Sequence, residues 1–538
     1  MLRTFASLLL SSAAVCAQVP QHSLALINDP RSHGQVGDRW LSLNEAIQLS
    51  NQSLPISALS PEELAQISGF GDIAFAEIDV RVVPTLTLER DLDPILDTYH
   101  GFLLGGSFGV PVIDVNGTRG IRADSDFCDF RNLTIRGGRV GIVINQSRTL
   151  YGSLIESVTF EGQTECALRI LLAVDGGDTR VNVARCTFRN VPTAIELQDV
   201  GRNRGGGLGA DVFFSDVTVI GGSVGIDVTL GPGGRTTYTF ERCLFDGTAN
   251  GIRFARLAPT SDRMVVLDAT HVTSIGAQTG FAFEGHAAGR AVLTMRMLDL
   301  APAVGGTALR IHPLGADTTT QLEDSRLTES VEVLGGAGPI VAIGNRLTNC
   351  ALAIGTTGGT PSIVETVMSG GTTTTRGTVA VEIRESVMLG GSLQAQTVGA
   401  NVSDCFTTAS VAGTVNVVRP RSVAHLGSMD VQPRAPRIGT NTTWSVDLPP
   451  GLSAFFVVGI TDEFPQFLPR PLRFYWLPTT EIVVPVALRG QTSLPVPIPN
   501  DTTMVGLDIV VQAAVVPDPG VAAPWIAFPP GRRLRIAP

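Results

Sequence analysis

Four charged residues recur at one position of a spaced pattern: Arg169, Glu196, Asp227 and Arg253. Each is the third residue of a tetrapeptide reading small, hydrophobic, variable, hydrophobic: Ala167-Leu168-Arg169-Ile170, Ala194-Ile195-Glu196-Leu197, Gly225-Ile226-Asp227-Val228 and Gly251-Ile252-Arg253-Phe254. On adjacent strands such positions stand about 5 Å apart. Two carboxylates that close raise one another's proton affinity and can divide general acid and base work, the chemistry of glycoside cleavage. Flanking arginines can grip a uronate carboxylate in a bidentate fork. Glu196 and Asp227 are therefore the catalytic candidates. Arg169 and Arg253 are substrate-binding candidates, joined by Asp199, Arg202 and Arg204 from the loop that follows. The same residues can instead pair with each other, Arg169 with Glu196 and Asp227 with Arg253, as a solvated ladder worth about 0–1 kcal/mol per pair.

The elements that would position them follow from the repeat. The tetrapeptide occurs ten times between Gly141 and Ala380, at spacings of 21 to 31 residues. That period belongs to stacked structural repeats, each too small to bury its own apolar face. A second short strand precedes the early copies, at Leu133-Thr134-Ile135, Val158-Thr159-Phe160, Cys186-Thr187-Phe188, Val217-Thr218-Val219 and Cys243-Leu244-Phe245. Each reads inward, outward, inward. Phe160, Phe188 and Phe245 should share an interior column with Ile135 and Val219, around a narrow aliphatic bore. Loops after successive tetrapeptide strands, beginning at Val174, Asp199 and Pro259, should project on one side as the wall of a groove.

Residues 1–17 have the pattern of a secretory signal: Arg3, an apolar run from Phe5 to Leu10, and Val15-Cys16-Ala17 before Gln18. No stretch is long and apolar enough to span a bilayer, so the expectation is a secreted or cell-surface protein. All 39 basic residues are arginine, which excludes lysine chemistry. A formal charge of −10 argues against nucleic acid as a partner. Of the six cysteines beyond the signal, Cys186 and Cys243 fall in one column with a coil between them. Two coil rises are roughly 10 Å, too far for a disulfide, which needs Cα atoms within about 7 Å. Both should be buried thiols.

Residues 18–100 should cap the stack, with capping boxes at Ser42-Leu43-Asn44-Glu45 and Ser60-Pro61-Glu62-Glu63 opening two helices. Residues 101–418 form the stack. Residues 419–538 lose the repeat, gain proline and hold Trp444, Trp476 and Trp525, which fits a separate β-sandwich. The expected fold is all-β: a parallel β-helix of about ten to twelve coils, a helical N-terminal cap and a C-terminal β-sandwich.

The stack resembles the right-handed parallel β-helix of the pectin-lyase-like superfamily. Ser42-Leu43-Asn44-Glu45-Ala46-Ile47 and Gly71-Asp72-Ile73-Ala74-Phe75 are similar to signatures at the start of exported bacterial members. The tail from Pro497 to Leu507 resembles C-terminal β-domains of exported proteins. Many β-helix enzymes act on acidic polysaccharides, but their motifs do not carry over. Where polygalacturonase-like hydrolases place aspartates before the tetrapeptide, this chain has Val140, Cys166, Thr193, Val224, Asn250, Thr279 and Thr307. Gly285-His286-Ala287 only partly matches their Gly-His-Gly, and the pectate-lyase motifs are missing.

Other signals are few. Asp124, Asp126 and Asp129 are spaced for calcium but lack a full ligand set. The seven His lack metal-ligand spacing, so no cofactor is expected, with calcium as the one candidate. Phe474-Tyr475-Trp476 offers either a sugar-stacking edge or two core aromatics. The reading is an exported, non-catalytic β-helix protein that contacts a polysaccharide or cell-surface component. A β-helix lyase or glycoside hydrolase acting through Glu196 and Asp227 is the alternative.

Overall fold

The computed structural model describes residues 22–537 apart from 69–74, 82–84, 97–101, 108, 126, 147–151, 173–178, 200–208, 232–233, 256–263, 285–288, 313–316, 385, 390, 404–405, 408, 419–427, 433–435, 448–451, 461–479, 489–492 and 518–531. The signal segment, Gly71 to Ala74, Cys405 and Phe474 to Trp476 lie outside the described residues. The chain is an all-β, right-handed parallel β-helix followed by a C-terminal β-sandwich, and it divides into two compact units, Met1–Val266 and Leu267–Pro538.

In the first unit each coil supplies three strands, and each strand pairs in parallel with its counterpart one coil later. The tetrapeptides lie in one of the three resulting sheets. There Ile142, Leu168, Ile195, Ile226 and Ile252 are successive register partners, all fully buried. The short strands stack Ile135, Phe160, Phe188, Val219 and Phe245 in one column, as the spacing predicts. The Phe160 and Phe188 rings lie parallel, 4.9 Å apart. The third sheet stacks Val183, Phe214 and Phe240. Burying one such side chain stabilises the fold by roughly 1.5–3 kcal/mol, and the repetition along each column holds the coils in register.

The small residue that opens each tetrapeptide has a steric cause. A Cβ on Gly225 would lie 2.3 Å from the Phe245 ring and 2.5 Å from the Gly251 carbonyl oxygen. The tetrapeptide strand thus begins against the aromatic column, and nothing much larger fits there.

A second constraint acts on the backbone. Between the third-sheet strand and the short strand, the chain turns at one residue of positive φ: Asn132, Ser157, Arg185, Asp216 and Arg242, all between 52° and 55°. Their N–H groups donate coil to coil, Ser157 to the Ala184 carbonyl, Arg185 to that of Ser215 and Asp216 to that of Glu241. The left-handed conformation costs a non-glycine residue roughly 1–2 kcal/mol, which the ladder of backbone bonds offsets. Val158, Cys186, Val217 and Cys243 follow these bends inside the bore. Cys186 and Cys243 are buried thiols. Cys186 donates to the Ala184 carbonyl at 3.3 Å, and burial first of all pushes its pKa up to about 12.

The parallel ladder starts upstream of residue 101. His22–Ile27 pairs in parallel with Phe75–Val80, which pairs with Phe102–Gly105. Both expected capping boxes are present, on helices Leu43–Ser50 and Pro61–Leu64. The first of these buries Leu43, Ala46, Ile47 and Leu49.

In the second unit the coils tighten. Glu329 and Asn349, at φ 65° and 49°, join short strand and tetrapeptide strand directly, giving the continuous strands Arg326–Leu334 and Arg346–Thr356. That shortens the coil and accounts for the 22- and 21-residue spacings read from the sequence. The bore position after the bend turns polar here. The Ser325 hydroxyl donates to the Glu323 carbonyl at 2.8 Å, and Asn345 Oδ1 accepts from the Ser325 N–H at 3.0 Å. Two antiparallel sheets follow, Ser428–Gln432 with Asn441–Asp447 and Ser493–Pro497, and Leu452–Ile460 with Thr480–Leu488, Asp508–Pro517 and Arg532–Arg535. Val431, Trp444, Val446 and Ile498 of the first share a core with Ile509, Val511, Leu534 and Ile536 of the second. This is the expected sandwich.

Candidate functional site

Arg169, Glu196, Asp227 and Arg253 come together as the sequence implies, on the outer face of the tetrapeptide sheet. They are successive register partners within the first unit. Strand alternation decides their direction: Leu168, Ile195, Ile226 and Ile252 point into the bore, so the next residue of each strand points out.

The charges are tied to one another. Arg169 Nε and Nη2 reach Glu196 Oε2 at 2.8 and 2.7 Å. Gln198 donates its amide to Glu196 Oε1 at 2.6 Å. Arg253 forms a two-pronged fork on Asp227, Nε to Oδ1 at 2.9 Å and Nη2 to Oδ2 at 2.5 Å. Both oxygens of each candidate carboxylate thus already accept hydrogen bonds. The pairing, Arg169 with Glu196 and Arg253 with Asp227, is the one that a solvated ladder requires.

Three further residues, Glu165, Arg139 and Gln198, join the network that spacing had not singled out. Glu165 accepts from Arg169 at 2.5 Å and also from Arg139. Those two contacts, Arg169 first, hold its carboxyl below the usual carboxylate range. Glu165 stands four residues before Arg169, and Gln198 is the next outward residue after Glu196; these offsets were the available signal. The strip therefore sets three arginines (Arg139, Arg169, Arg253) against three carboxylates (Glu165, Glu196, Asp227) and has no net charge. Next to it runs a row of Asn145, Leu171, Gln198, Thr229 and Ala255 in register.

Cys166, the residue immediately before the Ala167 tetrapeptide, donates its thiol to the Leu168 carbonyl at 3.2 Å. Burial first, and then Glu196, raises its pKa to about 12. It is a protonated, buried thiol and no nucleophile.

Asp199 departs from its expected place. It ends the strand Thr193–Asp199 with 0% exposure, pointing into the bore instead of toward a ligand. Its carboxylate accepts from Thr236 Oγ1 at 2.7 Å and from the Tyr238 hydroxyl at 3.2 Å. Parity gives the reason: Ile195, Leu197 and Asp199 alternate on one face. Arg202 and Arg204 lie outside the described residues, as do most of the loops expected to wall a groove. Asp124 is bonded to Arg122, and the buried Asp129 to Arg131; Asp126 lies outside the described residues. Among the described residues no group of three His, Cys, Asp or Glu is placed to hold a metal ion, and no helix is long and apolar enough to cross a membrane.

No family model matches the sequence, and no curated protein matches it. Among solved structures the chain is similar to the tailspike protein 3 of bacteriophage CBA120, at 14% identity and a TM-score of 0.35. The match covers 68% of this chain and 62% of the tailspike chain.

Proposed function

We infer that this chain is an exported, non-catalytic β-helix protein that binds a glycan on a cell surface through the outer face of the tetrapeptide sheet. One observation carries the reading: Glu196 and Asp227 sit on neighbouring rungs, yet arginines and an amide occupy both oxygens of each. Such a face offers fixed, planar hydrogen-bonding groups and no free acid or base. Its balanced charge favours a hydroxyl-rich, uncharged glycan over a polyanionic one, since a polyanion would need an excess of arginine. The C-terminal β-sandwich serves attachment or contact.

The test is a glycan array run with the full chain, followed by reducing-end and unsaturated-product assays on every glycan retained. Retention without turnover, weakened by Arg169→Ala and Arg253→Ala, supports the proposal. Binding that survives those changes together with Glu196→Gln and Asp227→Asn removes the strip from consideration. The rung-to-rung adjacency of Glu196 and Asp227 favours a second reading, a glycoside hydrolase or lyase in which substrate displaces the arginines; turnover abolished by either amide variant would establish it.

A further inference from the structure

In the first unit, residues 88–94 form a strap between the strand Thr85–Thr87 and the bridge of Ile95 to Ala123. Its two ends are pinned by backbone: the Leu88 N–H donates to the Asp114 carbonyl at 2.8 Å, and the Ile95 N–H to that of Arg122 at 2.9 Å. Among the described residues no backbone pair holds 89–94. Side chains of the cap hold it instead. Ser32 Oγ accepts from the Glu89 N–H at 3.0 Å, and Asn44 Oδ1 from the Asp93 N–H at 2.8 Å. Gln48 donates to Asp93 Oδ2 at 2.6 Å.

One histidine joins the two sides. His33 Nε2 lies 3.1 Å from the Asp91 carbonyl oxygen, and Nδ1 lies 2.9 Å from Ser32 Oγ. A carbonyl only accepts, so Nε2 carries the proton; Ser32, already accepting from Glu89, donates its hydroxyl hydrogen to Nδ1. The relay from the Glu89 N–H through Ser32 to His33 thus requires a neutral ring. A proton on Nδ1 meets the hydroxyl hydrogen, which the fully buried Ser32 cannot turn to solvent. We propose that this relay is an acid-sensitive latch: protonation of His33 frees the strap 89–94 from the cap.

The groups around the ring agree with that direction. Burial first, and then Arg90, lower the His33 pKa, while the Asp91 carbonyl, Glu89 and Asp93 pull the other way. Arg31 is committed to Asp29 and Asp38, and the Asp91 carboxylate to the Arg119 N–H. Burial raises the pKa of Glu45 on the helix Leu43–Ser50, so acid favours its folded form and does not supply the effect. The closed strap therefore binds fewer protons than the open one, where the ring returns to about 6.5. Above that value the latch has its full strength. As pH falls from there toward the lowered closed-state pKa, the opening constant rises by up to about tenfold per unit.

The experiment is hydrogen exchange of the full chain at about pH 7.5 and about pH 5.5, where carboxylates of ordinary pKa stay ionised, corrected for the intrinsic rate at each pH. The Glu89 and Asp93 amides should lose protection at least about threefold on acidification. The Leu88 and Ile95 amides, bonded to backbone, should keep theirs. His33→Gln, which gains no proton, should abolish the change, with circular dichroism confirming that the variant folds. The wild-type comparison stands without that variant: equal protection of Glu89 and Asp93 at both pH values overturns the latch. So does a loss that persists in folded His33→Gln, or one that Leu88 and Ile95 share equally, which marks a general loosening in acid.

Discussion

Replacing Phe188 with alanine should be among the most damaging single changes in this chain. Phe188 is fully buried, its ring stacked 4.9 Å from Phe160 and its backbone register-paired to Phe160 on one side and Val219 on the other. Truncating a buried phenylalanine costs about 3–5 kcal/mol, with the larger values where the site cannot collapse. Collapse is resisted here, because backbone ladders fix the coils about 4.8 Å apart. Stacking with Phe160 contributes roughly 0.5–1.5 kcal/mol of the loss. A value near the top of the range, about 4–5 kcal/mol, is expected, while Glu196→Ala on the outer face of the same coil should cost about 1 kcal/mol or less. The assay is urea unfolding followed by circular dichroism, with Phe188→Leu as the control that keeps most of the volume. A loss below about 1 kcal/mol for Phe188→Ala, equal to that of Glu196→Ala, would refute the column as the source of stability.

Three further outcomes follow from particular residues. Ser157, at φ 55°, should tolerate glycine with a gain of up to about 1 kcal/mol and lose about 1–2 kcal/mol on change to valine, read as shifts in the urea midpoint. Cys186, its pKa raised to about 12 by burial, should resist iodoacetamide in the native protein and react fully once urea unfolds the chain. Glu165 has a carboxyl pKa lowered from 4.5 by Arg169 and Arg139. Its contribution to stability is therefore complete above the unfolded-state pKa and is lost as pH falls through the lower folded value; Glu165→Gln should flatten the acid side of the stability profile.

The columns were legible because side-chain type records them. Ile195, Ile226 and Ile252 must be apolar, and their spacing is the coil. The bends were not legible, because Asn132, Ser157, Arg185, Asp216 and Arg242 share a backbone conformation and a donated N–H but no side-chain chemistry. The ion pairs of the candidate site were readable from order along the rungs. The inward turn of Asp199 was readable from parity alone, but a charged residue two places beyond the tetrapeptide reads as the start of a loop. Its compensation by Thr236 and Tyr238 comes from a strand 37 and 39 residues away, a contact that only the winding of the chain creates.

The account turns on whether the Arg169–Arg253 strip holds a glycan without cutting it. The direct measurement is product analysis by mass spectrometry after prolonged incubation of the purified chain with each glycan it retains, beside Glu196→Gln and Asp227→Asn. Unaltered glycan in every case, with retention lost on Arg169→Ala, is the expected result. Shortened or unsaturated products that disappear in either amide variant would contradict it.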